Sequence, residues 1–302
     1  MYDLVIIGGG PAGLTAGIYA VRYGLDTVVI EKEVLPGQIA ATDMIENYTG
    51  FTAISGPELM QKFKEHAEGA GVKIESAHVS LVRSETEKKM VVTDNGNFEA
   101  KAVIIATGAN PKKLGIPGED ELLSKGVSYC ATCDAPFYKG KTVMVVGGGD
   151  SALTDALILS NIAKKVYIVH RRDKLRACAI LQQRVSKKSN IEIIWDTIPE
   201  RIEGKTKVEN VVLRNMKTEN VSSTSADGVF IYVGIHPNTE FINVDKNISG
   251  FIVTDEKLRT SVAGIYAAGD CRNISIRQVV TAVADGAMAA VFAHEYILGL
   301  EF

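Results

Sequence analysis

Leu4-Val5-Ile6-Ile7-Gly8-Gly9-Gly10-Pro11-Ala12-Gly13 is the stretch that decides the fold. Four apolar residues in a row suit a strand buried on both faces of a parallel sheet, and the glycines run straight into a helical pattern from Leu14 to Tyr23. Strand, tight turn and helix in that order make a dinucleotide cradle. Gly8 permits the turn, Gly10 lets the backbone approach a pyrophosphate, and Gly13 lets the helix sit close to the strand. Pro11 and Ala12 open the helix, whose N-terminus faces the phosphates. The next strand, Thr27-Val28-Val29-Ile30, ends at Glu31. A carboxylate there accepts from both ribose hydroxyls, so the expected ligand lacks a 2′-phosphate: FAD or NAD.

The pattern returns once. Thr142-Val143-Met144-Val145-Val146 enters Gly147-Gly148-Gly149-Asp150-Ser151-Ala152, with Ala152 in the third small position. Glu31 lies 31 − 8 = 23 residues after its first glycine, and 170 − 147 = 23 lands on His170, followed by Arg171 and Arg172, with Arg176 near. A carboxylate repels a 2′-phosphate, whereas adjacent guanidinium groups bind it with charge-assisted hydrogen bonds. This second site, with Gly147, Gly149, Asp150 and Ser151 at its turn, is expected to take NADPH.

Between the two turns stands Cys130-Ala131-Thr132-Cys133-Asp134. Two cysteines at this spacing in an α/β chain read as a redox pair. Zinc would need further ligands at short spacing, and the other two cysteines, Cys178 and Cys271, are isolated. Gly37-Gln38 and Glu46-Asn47-Tyr48 have the polar, turn-forming character of a loop that wraps a ligand, and Ala106-Thr107-Gly108 follows another buried strand with a small-residue turn. Gly269-Asp270 repeats that device with a carboxylate suited to a polyol, and a helix is expected from Arg277 to Leu298, opening on Arg277-Gln278. Gly56 to Gly71 reads as an amphipathic helix, Lys73 to Asn97 as hairpin strands, and Ile191 to Tyr232 as strands completing the second domain.

With 302 residues, 46% of them apolar, the chain can build two cores. A formal net charge of −3 offers no basic field for nucleic acid, and no apolar run approaches the about 20 residues needed to span a bilayer. Neither nucleic acid nor a membrane is an expected partner, no metal is expected, and a cytoplasmic location is.

In combination these motifs resemble the low-molecular-weight, bacterial-type thioredoxin reductase family along essentially the whole chain. The resemblance implies two Rossmann-like α/β domains of the pyridine nucleotide-disulfide oxidoreductase type. Residues 1–113 and 238–302 form the FAD domain, and 117–234 an inserted NADPH domain that carries the cysteines. It also implies a homodimer acting on thioredoxin or a thioredoxin-like protein, with Val279 joining Arg277 and Gln278 at the FAD. Cys133 is then the thiol that faces the flavin, Cys130 the thiol that attacks the partner's disulfide, and Asp134 the proton carrier. Asp134 also reads as a cap of the turn before Pro136. Two departures stand out: Ala135-Pro136 where the family has Gly and an aromatic, and Thr154-Asp155 where it often has two acidic residues. The first bears on partner fit and the second on NADPH contact. An NADP-dependent flavoprotein reductase of ferredoxin or flavin type, or an NADPH-sensing protein without turnover, would share the nucleotide sites.

Overall fold

The computed structural model describes residues 1–32, 37–40, 42, 44–85 and 88–300. The chain divides into two compact units, Met1–Asn110 with His236–Phe302, and Pro111–Ile235.

In the first unit the strand Tyr2–Ile7 is central, parallel to Thr27–Glu31 on one side and to Gly96–Ile105 on the other. Its apolar run is buried on both faces: Leu4 and Ile6 belong to one core, Val5 and Ile7 to the other. The far half of Gly96–Ile105 also pairs with Ile265–Ala267, which brings the C-terminal segment back into the same sheet. Its near half carries the antiparallel strands Lys89–Thr93 and Val79–Ser84.

Lys73–Ser76 differs from the hairpin expectation. It lies parallel to Thr27–Glu31 at the sheet edge, because the helix Gly56–Gly69 is the crossover that returns the chain to the sheet. Alternating polarity alone does not distinguish these partners. The helices Pro11–Arg22 and Val279–Ile297 pack together closely enough that a Cβ on Gly286 would meet the Ala12 carbonyl oxygen at 2.1 Å.

The second unit centres on Thr142–Gly147, between Lys165–Val169 and Gly228–Tyr232, with Ile191–Ile194 and Val127–Ser128 at the edges, all parallel. Val143 and Val145 face one core, Met144 and Val146 the other. Thr197–Glu203, Asn210–Asn215 and Val221–Ser225 form a separate antiparallel sheet. The two connections, Ala109–Pro111 and Ile235–Pro237, pair as a ribbon. Within the second unit, buried Glu119 accepts from the Leu114 and Gly115 N–H groups at 2.9 and 2.7 Å and from the Tyr129 hydroxyl at 2.7 Å. One carboxylate thus ties the entry segment to the residue before Cys130. Among the described residues no helix is long and apolar enough to cross a membrane.

Candidate functional site

At the first turn, glycine is required by contact as well as by dihedral. Gly8 has φ +107°, and a Cβ on Gly13 would sit 1.7 Å from the Gly8 carbonyl oxygen. Gly10, by contrast, has nothing within 4 Å of where its Cβ would be, so this side of the turn is open for a close ligand. The Glu31 carboxylate stands over the turn and accepts from the Gly9 N–H at 2.6 Å. Ala106-Thr107-Gly108 lies beside it, fixed by Asn238: Thr107 Oγ1 donates to the Asn238 carbonyl at 2.6 Å and Asn238 Nδ2 returns a bond at 2.9 Å. Gln38, beside Gly37, donates to the Ala109 carbonyl, and Asn47 Nδ2 donates to Gln278 Oε1 at 3.0 Å.

The long helix begins at Val279, not Arg277. Gln278 is its N-cap, with its own N–H donating to Thr281 Oγ1 at 3.1 Å. Arg277 is left outside the helix, its guanidinium over the Phe251 ring at 4.3 Å and its Nε donating to the Asp270 carbonyl oxygen at 3.5 Å.

Asp270 carries the strongest ligand signal in this unit. Its Oδ1 is buried and makes no hydrogen bond among the described residues. Burial pushes its carboxyl pKa up to about 6 against the pull of Arg277. A buried acceptor without a donor is costly, and a polyol hydroxyl would supply the donor. The residues present therefore fit a flavin dinucleotide.

A carboxyl whose folded pKa lies above its unfolded value of about 3.9 stabilises the fold below that value, and the contribution is lost as pH rises through the folded pKa. In protein freed of nucleotide, raising pH from 4 to 7 should cost the parent on the order of 2–3 kcal/mol relative to Asp270→Asn. Denaturant unfolding across that range checks it; parallel profiles for the two proteins would refute it.

Two residues that brace the turn at Gly269, beside Asp270, were not singled out from sequence. Asp285 accepts from the Gly269 N–H at 2.9 Å and from Arg272 Nε and Nη2 at 2.9 and 3.1 Å, a mostly buried bidentate pair. A carboxylate in the otherwise uncharged run from Val279 to Ala293 was the available signal.

At the second turn, Gly149 is the N-cap of the helix Asp150–Ser160, with nothing within 4 Å of its missing Cβ. The loop that follows Val169 folds over this turn. Arg176 and Ala177 N–H groups donate to the Gly148 carbonyl at 2.7 and 3.1 Å, and Cys178 N–H donates to Asp150 Oδ1 at 2.8 Å. Ser151 is exposed at the helix start, and Arg171, Arg172 and Arg176 are exposed around the turn.

His170 differs from its arginine neighbours. It is only 5% exposed, packs where a Gly148 Cβ would be, and sets Nε2 at 2.9 Å from the Lys174 carbonyl. Burial lowers its pKa, and Arg176, Arg172 and Arg171 lower it further. It is packed beneath the loop that carries the three arginines.

Cys130 and Cys133 are joined as a disulfide with a Cα–Cα distance of 5.3 Å. Cys130 is the N-cap of the one-turn helix Ala131–Asp134, and its Sγ accepts from the Cys133 N–H at 3.2 Å. Asp134 N–H closes the turn on the Cys130 carbonyl at 3.1 Å. The Asp134 side chain makes no cap bond to the 3₁₀ turn Ala135–Tyr138, so the capping role read from Pro136 is not taken up.

Ala135 has φ −52°, an ordinary right-handed value, so no glycine is needed there; the exposed aromatic comes one residue later, at Phe137. Asp155, read as a departure at the nucleotide contact, turns instead toward Tyr232 and Ala131. Cys271 is fully buried and its thiol is pushed up to about 12, which leaves it unreactive.

The chain belongs to the pyridine nucleotide-disulphide oxidoreductase family, which it matches over residues 2–286. Its motifs resembled one branch of that family, and whole-chain comparison agrees. It is 46% identical to the thioredoxin reductase of Bacillus subtilis, covering 100% of this chain and 96% of that protein. The thioredoxin reductase of Treponema pallidum is 44% identical, with 98% and 97% covered. The crystal structure of thioredoxin reductase from Streptococcus pyogenes superposes with a TM-score of 0.94 at 45% identity, with 99% of each chain covered.

Proposed function

We propose that this protein is an NADPH-dependent flavoprotein that reduces the disulfide of thioredoxin or a thioredoxin-like protein. The observation that carries the reading is the Cys130–Cys133 disulfide, built into the same unit as a nucleotide turn rimmed by three arginines. In this reading FAD is held by the Gly8–Gly13 turn, Glu31, Gly37, Gln38, Asn47, the 106–108 turn, Gly269, Asp270 and residues 277–279. NADPH is held by the Gly147–Ser151 turn and by Arg171, Arg172 and Arg176 on the loop that His170 supports. When bound, the flavin accepts a hydride from the nicotinamide and hands on two electrons, chemistry that no side chain supplies.

The chain's own part is thiol exchange. From the reduced pair, the Cys130 thiolate attacks the partner's disulfide, forming a mixed disulfide and releasing one partner sulfur. Cys133 then attacks the Cys130 sulfur, which re-forms Cys130–Cys133 and frees the partner as a dithiol. The two thiol protons end on the partner, and Asp134, whose N–H closes the thiol turn, is the carboxylate assigned to pass them. A homodimer belongs to this reading through the family resemblance. Two free cysteines are consistent with a reducing, cytoplasmic setting.

The test is an anaerobic NADPH titration of the yellow protein with thiol counting, then turnover with thioredoxins from the same cell. Bleaching of the flavin, two new thiols at Cys130 and Cys133, and multiple turnovers are expected. Bleaching without thiols would return the protein to the flavin-type reductases, and binding without bleaching to a sensor.

A further inference from the structure

Ala131, next to Cys130 between the two cysteines, has no exposed surface, and its N–H is one of the donors that a helix start leaves without an intrahelical partner. That N–H donates to Tyr232 Oη at 2.7 Å. Tyr232 shares a hydrogen bond with the Asp155 carboxylate, which also reaches the same N–H. Both side chains come from elements that build the second nucleotide turn. Asp155 lies on the helix Asp150–Ser160 that Gly149 caps; Tyr232 ends the strand Gly228–Tyr232, paired with Gly147. The approach is close enough that a Cβ on Gly147 would meet the Tyr232 carbonyl oxygen at 2.6 Å. Burial raises the phenol pKa strongly, so the hydroxyl keeps its proton for Asp155 while its lone pair serves the Ala131 N–H.

We propose that Tyr232 and Asp155 are positioning residues for the thiol pair, holding the Ala131 peptide and thereby setting how readily the Cys130–Cys133 disulfide is reduced. The proposal rests on the reading that this pair cycles between disulfide and dithiol. In the disulfide form the cross-link pins the turn at both cysteines, so an Ala131 N–H that loses either the Tyr232 oxygen or the Asp155 carboxylate stays buried and only partly satisfied. In the dithiol the turn is released, and the N–H can swing toward water or toward the Cys130 sulfur. Losing the acceptor therefore penalises the disulfide more than the dithiol, and the couple becomes more oxidising. Reduction takes two electrons and two protons, which dithiothreitol supplies as it closes to its cyclic disulfide.

The experiment equilibrates full-length, flavin-loaded protein anaerobically in dithiothreitol redox buffers and counts reduced Cys130 and Cys133 by alkylation. Tyr232→Phe should move the exchange constant toward the dithiol by about tenfold, which for a two-electron couple is ~30 mV. Asp155→Ala should move it the same way, because the N–H loses its second acceptor and the hydroxyl loses the group that orients it. Asp155→Asn keeps an acceptor and should stay within about twofold of the parent. Constants for Tyr232→Phe and Asp155→Ala both within that range would overturn the proposal, as would Asp155→Asn shifting as far as Asp155→Ala. If Tyr232→Phe does not fold, the two Asp155 variants decide. A parent whose thiol pair titrates normally but does not turn over thioredoxin would defeat the proposed function and leave this measurement standing.

Discussion

Cys130→Ser and Cys133→Ser are each expected to bring thioredoxin reduction to background, a loss of at least about 10³-fold, with flavin content and bleaching by NADPH retained. A serine oxygen can neither close nor attack a disulfide, and no other cysteine can substitute. Cys271 is fully buried with its thiol pushed up to about 12, and Cys178 is on a different loop, after Arg176. The two variants should also differ from each other. With Cys130 intact, Cys133→Ser should trap the partner as a mixed disulfide, because nothing remains to resolve it. Cys130→Ser should trap none. Non-reducing electrophoresis with thioredoxin separates the outcomes, and retained turnover in either variant would remove the thiol relay.

Arg171→Ala combined with Arg172→Ala is expected to weaken NADPH far more than NADH. Hydrogen bonds to a charged group contribute roughly 1.5–3 kcal/mol each, so the pair carries up to about 3–6 kcal/mol of preference, or roughly 10²–10⁴-fold in relative kcat/KM. Both guanidinium groups are exposed, on the loop that Arg176 and Ala177 anchor to Gly148, so their removal leaves the core of the unit intact. Steady-state kinetics with both nucleotides is the check. Equal losses would mean that these residues do not read the 2′-phosphate.

Much of this was legible in one dimension because the signals are local and periodic. A buried parallel strand announces itself as an unbroken apolar run, and the turn that must approach a helix needs glycine at a set spacing. Leu4 to Gly13 and Thr142 to Ala152 therefore read directly as strand, turn and helix. The repeat distance of 23 then exposed the exchange of Glu31 for a basic stretch. Strand partners were less legible. Lys73–Ser76 has the alternation of a hairpin strand yet pairs in parallel at an edge, since polarity records which face is wet and not which neighbour donates hydrogen bonds.

The sequence by itself determined the class of chain: two glycine turns with opposite charge at their strand ends, and one thiol pair between them. Only the tertiary structure decided how these groups are held. Asp285 braces the Gly269-Asp270 turn from 16 residues away and pairs with Arg272 across 13, and Tyr232 reaches Ala131 across 101. His170 sits in the register of a phosphate reader but is buried against Gly148, and Asp155 turns toward Tyr232 and the Ala131 N–H. Each of these depends on which long-range elements pack together and on how much water they exclude, and burial, unlike spacing, is a property of the folded neighbourhood and not of the residue.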